Sequence, residues 1–224
     1  MINPRDSWKS APCPTFIDFA QIGSTMVERN RQDKKRTIAE VASRVFFDKG
    51  YQKASLQDVA NELGVSKATI FHYFKTKEQL LYFIIENNTN VHMAELKDHL
   101  KQCQDQKLPP QETFQEVMTK YATALNEDIE VPQIILRERH QLTGENKEGL
   151  HRIEREIFRF IRDEIKKVPN IDKRYDVNVI AFLLISFSHW MKYWLKEDGE
   201  LSIEDAIKQV LDMVCYGMLD KNRS

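Results

Sequence analysis

The 224-residue sequence has only seven glycines, seven prolines and three cysteines. So few breakers leave long stretches of Ala, Leu, Ile, Lys and Glu, a mixture that favours helix over sheet. Cys13, Cys103 and Cys215 are odd in number and far apart, without a C-x-x-C pair or a metal-ligand spacing. That pattern excludes a disulfide framework and a zinc site and fits a reducing, cytoplasmic setting. No run of 18 apolar residues is present, so no membrane-spanning helix is expected. The first 25 residues have no unbroken apolar segment of the secretory kind. His92, His99, His140 and His151 are scattered, with no H-E-x-x-H and no two E-x-x-H motifs to face each other in a bundle. Glu138 with His140, and Glu154-Arg155-Glu156, come nearest to a catalytic cluster, and neither forms a nucleophile–base pair or a paired-carboxylate site. The expectation is therefore a protein with no catalytic residues, no metal and no cofactor.

The net charge is only −1, but it is unevenly distributed. Residues 29–77 hold eleven Lys/Arg and five Asp/Glu, a local excess of six positive charges. Residues 78–224 hold twenty Lys/Arg and twenty-six Asp/Glu, an excess of six negative charges. One part is suited to a polyanion and the other is not. Residues 1–32, with Pro4, Pro12, Pro14 and Gly23, read as a flexible arm. A helical period begins near Asp33: Ile38, Ala42, Val45 and Phe46 share a face, and Gly50 falls at a C′ position. Ser55 with Asp58 three residues on marks a second helix start, and Gly64-Val65-Ser66 interrupts that helix. A short helix near Lys67–Tyr73 follows, then a capping pattern at Thr76–Gln79 opens a helix reaching about Leu100. Pro109-Pro110 reads as a linker. Helices are then expected near 111–127, 132–142, 146–167, 176–195 and 202–219. The fold class is all-α with about nine helices.

The stretch 55–74 has the logic of a helix-turn-helix. Two short helices crossing steeply need a turn residue that tolerates φ > 0, and Gly64 supplies it. Ala60 is small where the helices approach, and Val65 and Ile70 are read as the apolar pins. Lys67, Ala68, Thr69, His72 and Tyr73 are left to face outward. Helix N-termini near Lys34, Ser55 and Thr76 offer N–H groups to phosphates. Lys77 in a first helical turn opposes the helix dipole, which a phosphate ligand would explain.

The stretch KKRTIAEVASRVFFDKGYQKASLQDVANELGVSKATIFHYFKTKEQLL resembles the DNA-binding region of TetR-family transcriptional regulators. The resemblance rests on the basic start before Ile38-Ala39, Phe46-Phe47 with Gly50-Tyr51, and Ser55 with Val59-Ala60. It continues through Gly64-Val65-Ser66, Thr69 with Tyr73-Phe74, and Lys77-Glu78 with Leu80. Ala68 stands where many members carry glycine and Phe71 where many carry tyrosine; Phe71 is treated as packing. The resemblance implies that Ser66, Lys67, Ala68 and Thr69 open a recognition helix in the major groove. Lys67 would take guanine O6/N7 or a phosphate, and Thr69 a phosphate or a thymine methyl. His72 and Tyr73 would reach phosphates or base edges. Ser55 and Lys77 would clamp the backbone, and Thr37, read as the start of the first helix, would add a contact. The domain division is an arm at 1–32, a helix-turn-helix DNA-binding domain at 33–80, and a helical ligand-binding and dimerisation domain at 81–224.

The segment 176–195 is apolar nearly all round, so both its sides need cover. Ile180, Leu184, Phe187 and Met191, with Ile207, Val210, Leu211, Val214 and Met218 of the last helix, are read as a homodimer interface. The resemblance implies the same arrangement, a palindromic double-stranded operator, and a small-molecule inducer held among the C-terminal helices. Phe114, Met118, Tyr121, Phe158, Phe182, His189, Trp190 and Trp194 are the candidate pocket, against the alternative that they are plain core. The Arg137/Arg139 pair and Arg152, Arg155, Arg159 and Arg162 read as solvated faces, or as attractors of an acidic headgroup such as that of an acyl-CoA. The expected function is a ligand-released repressor. The alternatives are an architectural DNA-binding protein without inducer and, remotely, an all-helical enzyme.

Overall fold

A computed structural model describes the backbone of residues 19–127, 130–195 and 201–218, with side chains except those of 19–27, 127, 192–194 and 218. The described residues form nine α-helices: α1 Phe19–Lys49, α2 Leu56–Glu62, α3 Lys67–Tyr73, α4 Lys77–Asp105, α5 Pro110–Glu127, α6 Glu130–Glu138, α7 Gly144–Ile165, α8 Val177–Trp194 and α9 Ile203–Met218. One 3-10 turn, Arg139–Gln141, follows α6. The chain divides into residues 1–35 and a compact body of residues 36–224.

The first helix begins at Phe19 rather than near Asp33. The expected arm is thus helical from residue 19, and residues 1–18 lie outside the described set. The polar stretch VERNRQDKKR has good intrinsic helix formers and no proline, so it extends the helix without an apolar stripe that sequence reading could follow. Thr37 consequently sits inside α1, exposed, and not at its start. Gly50 ends α1 with φ +77°, the C′ role its position suggested.

The body has two cores. The first joins Ile38, Ala42, Val45 and Phe46 of α1, Val59 and Ala60 of α2, Ile70 of α3, and Leu80, Leu81, Ile84 and Ile85 of α4. It also takes in Val131 and Ile134 of α6, Leu142, and Leu150 of α7, so it does not stop at residue 80. The second joins Met93 and Leu96 of α4 with α5, α7, α8 and α9. The 29-residue helix α4 belongs to both.

Its first turn is tied to α7. The Glu78 carboxylate accepts from the Thr143 backbone N–H at 2.7 Å, the Thr143 hydroxyl at 3.1 Å and the Asn146 amide at 3.1 Å. One helical turn on, the Tyr82 ring occupies the space a Cβ at Gly149 would need, so the glycine is required for this approach of α7 to α4. The Thr143 N–H bond, helped by Asn146, holds the Glu78 carboxyl below its ordinary range. A depressed folded-state pKa contributes stability above the unfolded value, about 4.3, and loses it as pH falls below. Urea titrations at pH 7 and pH 4 check this: wild type is expected to lose more stability on acidification than Glu78→Gln, and parallel losses would refute the role.

Candidate nucleic-acid interface and internal cavity

Each helix of the α2–α3 unit is capped by its own sequence. Ser55 is the N-cap of α2; its hydroxyl accepts from the Asp58 N–H at 3.2 Å, and Asp58 accepts from the Ser55 N–H at 2.8 Å. Lys49 bridges to Asp58 at 2.7 Å, and these contacts, Lys49 foremost, hold the Asp58 carboxyl well below the usual carboxylate range. Gly64, at φ +65°, ends α2. Its N–H donates to Asn61 O at 3.1 Å while the Val65 N–H donates to Ala60 O at 2.9 Å, the paired bonds of a Schellman turn. Ser66 then caps α3: its hydroxyl accepts from the Thr69 N–H at 3.1 Å and lies 2.9 Å from the Thr69 hydroxyl. Ile70, fully buried, pins α3 to the core together with Ala60 of α2.

This leaves Ser66, Lys67, Ala68, Thr69 and His72 exposed on one short helix, with Tyr73 half-buried against the core. His72 and Tyr73 stack edge to face at 5.0 Å. Two neighbours fall otherwise than expected. Val65 is 38% exposed and pins nothing, and Phe71 is 37% exposed, lying under the Lys67 ammonium at 5.5 Å instead of packing inward. The α3 backbone at Phe71 is used by Lys75, whose ammonium donates to its carbonyl at 2.8 Å, a contact no sequence motif announced.

Lys77 also departs from the expected phosphate clamp. Its three N–H donors reach three carbonyls: Tyr51 at 2.6 Å, Ala54 at 2.9 Å and Gln52 at 3.3 Å. It stands 4.3 Å from the centre of the Tyr51 ring. The cation completes the α1–α2 turn from within the protein, which explains the charge at a helix start without an outside anion. Thr76 caps α4 through the Gln79 N–H at 3.0 Å, and Gln79 reaches back to the Lys75 N–H at 2.9 Å.

A cavity of about 660 Å³ lies among α4, α5, α6, α7 and α8. Its wall is mostly apolar: Ile85, Met93 and Leu96 of α4, Ala124 and Leu125 of α5, Ile135 and Leu136 of α6, Ile153, Ile157 and Phe158 of α7, and Phe182 and Ile185 of α8. Polar groups enter at Asn88, His92, Lys120, Tyr121, Arg139, His151, Glu154, Arg155, Ser186 and His189. Arg139 and Glu154 pair with each other at 2.7 Å. His189 Nδ1 donates to the Ile185 carbonyl at 2.9 Å, and burial pushes its pKa down.

Of the candidate pocket residues, Tyr121, Phe158, Phe182, His189 and Trp190 line this cavity. Phe114 and Met118 do not; they are 1% and 2% exposed and belong to the core among α4, α5, α7, α8 and α9. They share the apolar stripe of α5 with Tyr121, and periodicity cannot tell the part of a stripe that meets a cavity from the part that meets side chains. The Trp194 side chain lies outside the described set. The α4 wall residues Asn88, His92 and Leu96 were missed, although Asn88 and His92 stand at i, i+4 on an otherwise apolar helix face.

The residues read as a dimer interface are largely interior. Ile180, Leu184, Met191, Ile207 and Leu211 are buried in the subunit's own core, and Phe187, Val210 and Val214 pack against it half-buried. The Met218 side chain is outside the described set. The exposed apolar face of these helices is instead Val179, Phe182, Leu183 and Trp190 on α8 and Met213 and Tyr216 on α9, each at least half exposed. A helix apolar all round offers two stripes, and the sequence does not label which one the subunit covers itself.

The family model for bacterial regulatory proteins of the tetR family matches residues 38–82, and that for the tetracyclin repressor-like C-terminal domain matches residues 107–218. The chain belongs to the TetR family. That family is one of transcriptional regulators rather than enzymes. An HTH-type transcriptional regulator of Staphylococcus aureus (strain USA300) is 27% identical over 79 residues, 35% of this chain and 40% of that protein, so the match spans less than half the length of this curated relative. Among solved structures, the TetR-family regulator PfmR from Thermus thermophilus is 25% identical, with 79% of this chain and 96% of that one covered and a TM-score of 0.68. AibR in complex with isovaleryl coenzyme A and operator DNA is 24% identical, covering 80% and 96%, with a TM-score of 0.69. FadR from Bacillus subtilis in complex with stearoyl-CoA is 18% identical, covering 81% and 97%, with a TM-score of 0.66. The two matches thus take in the α2–α3 unit with its flanking turns and the helices α5–α9, leaving residues 83–106, most of α4, between them.

Proposed function

We propose that this TetR-family chain is a homodimeric, cytoplasmic repressor that binds a palindromic double-stranded operator and is released by a small apolar or amphipathic ligand. The observation that carries the DNA-binding part is α3 itself: Ser66, Lys67, Ala68, Thr69 and His72 exposed on one helix, held by the Gly64 turn and the buried Ile70. Lys67 and Thr69 take base edges or phosphates, His72 and Tyr73 reach the flank, and the N-terminus of α2 at Ser55 meets the backbone. Thr37 is retained as an accessory contact. Lys77 acts through its helix-start N–H groups and by holding the α1–α2 turn, not through its ammonium.

The exposed α8–α9 face supports the homodimer. A two-fold axis there sets two α3 helices one DNA turn or a multiple apart, about 34–36 Å per turn. The cavity supports the ligand, since its volume and apolar wall fall in the range of small-molecule sites. An acyl thioester is one ligand class this fold accommodates, in AibR and FadR. An architectural DNA-binding protein would have no use for such a cavity.

The test is selection of bound duplexes from a random pool at fixed salt, repeated with candidate amphipathic ligands. A two-fold-symmetric site that is lost on adding a ligand is the expected result. Absence of any sequence preference overturns the regulator reading.

A further inference from the structure

Tyr121 lies on the cavity wall and is 8% exposed, yet its hydroxyl has no hydrogen-bond partner among the described residues. Buried hydroxyls are normally paired, because leaving one unpaired forfeits its full desolvation cost. The residue that carries it lines a cavity large enough to hold a partner. The His189 ring stands edge-on at 6.3 Å from the Tyr121 ring. Because His189 Nδ1 donates to the Ile185 carbonyl, its Nε2 is the bare acceptor of a neutral imidazole. The same wall therefore offers a phenol donor and an imidazole acceptor within an otherwise apolar surface.

We propose that Tyr121 is the polar anchor of the ligand site and that the ligand is a neutral molecule whose apolar body carries an oxygen, a carbonyl or a hydroxyl, that accepts the Tyr121 hydrogen bond. This rests on the reading of the cavity as a ligand site. A carbonyl satisfies Tyr121 alone; a hydroxyl also donates to His189 Nε2. A carboxylate is the wrong partner at this point. Burial raises the Tyr121 pKa, the mark of surroundings that disfavour an anion; of the cations on this wall Arg139 is already paired with Glu154, and the decanoate arm below tests whether Lys120 or Arg155 supplies a cation in its place.

The experiment titrates 2-decanone and decanoate, matched in carbon number, into wild type and Tyr121→Phe, reading affinity by calorimetry and the bound ketone's carbonyl stretch by infrared difference. Wild type is expected to prefer 2-decanone, and Tyr121→Phe to weaken it about tenfold, as expected for one buried hydrogen bond. Decanoate affinity should not change. The carbonyl stretch is expected at lower frequency in wild type and to return toward its unbonded value in the variant. Without ligand, Tyr121→Phe should melt about 2–4 °C higher, since an unpaired buried hydroxyl is gone. Equal ketone affinity with an unshifted stretch, or a preference for decanoate, overturns the anchor. Failure of both probes to bind overturns the anchor and the ligand site together. Tyr121-dependent binding that leaves DNA in place upholds the anchor and overturns the ligand-released repressor. Release of DNA by 2-decanone equally from both proteins does the reverse.

Discussion

Lys77→Ala is expected to destabilise the α1–α4 head by about 2–3 kcal/mol, the range for a charged hydrogen-bonding group that leaves carbonyls of buried residues, here Tyr51 and Ala54, without a donor. The ammonium serves the carbonyls of Tyr51, Gln52 and Ala54 at once, and an alanine methyl serves none of them. It also contributes a cation–π contact with Tyr51, whose hydroxyl is buried enough to be pushed up to about 12. Lys77→Arg should not rescue, because a planar fork cannot point three donors at a pyramid of carbonyls. Urea unfolding followed by circular dichroism measures the loss. The salt dependence of DNA binding provides the contrast: a phosphate clamp would leave stability intact and lower the slope by about 1, whereas an internal tie lowers stability and leaves the slope alone.

The double variant Leu183→Glu with Met213→Glu is expected to leave the subunit folded and abolish its dimer. Both side chains are exposed, at 53% and 74%, so charge there does not disturb the subunit core. Across a two-fold face, however, the four glutamates of the two subunits would be brought into one dry contact, which costs several kcal/mol. Sedimentation should show a monomer. Operator affinity should fall by about 100-fold or more, because two half-sites are then bound independently. An unchanged dimer would place the interface elsewhere on the molecule. Leu184→Ala, by contrast, should lower subunit stability by about 2–5 kcal/mol, since Leu184 is 2% exposed in the subunit core.

The sequence was most legible where chemistry is local. Ser55 with Asp58, Gly64, and Thr76 with Gln79 announce helix ends through short-range hydrogen bonds, and α2, α3 and the start of α4 fall within a residue or two of expectation. It was least legible where the question is which neighbour a side chain meets. Val65, read as a pin, and Phe71, read as packing, are both partly exposed while Ile70 is fully buried, because on a helix of two turns adjacent apolar residues such as Ile70 and Phe71 do not by themselves say which one points inward. Phe114 and Tyr121 lie on one stripe of α5, and only the surrounding helices decide that the first meets core and the second a cavity. Ile180 and Leu183 differ by less than one turn on α8, yet the first is interior and the second open. Lys77 was misread for a related reason. Its dipole conflict is visible in sequence, but the three carbonyls that relieve it come from residues more than twenty positions earlier.

The helix α4, shared by both cores, is 29 residues long, a rod of about 44 Å. Its packing on each side fixes its rotation and its height, since sliding would break interdigitated side chains at Leu81 and Ile85 in one core and at Met93 and Leu96 in the other. A tilt of about 10° about one end carries the other roughly 7–8 Å, more than a full helical pitch of about 5.4 Å. In the homodimer proposed above, a small change of cavity width along α4 would thereby be levered into a large change in the spacing of the two heads, with no residue along the rod needing to change its own conformation.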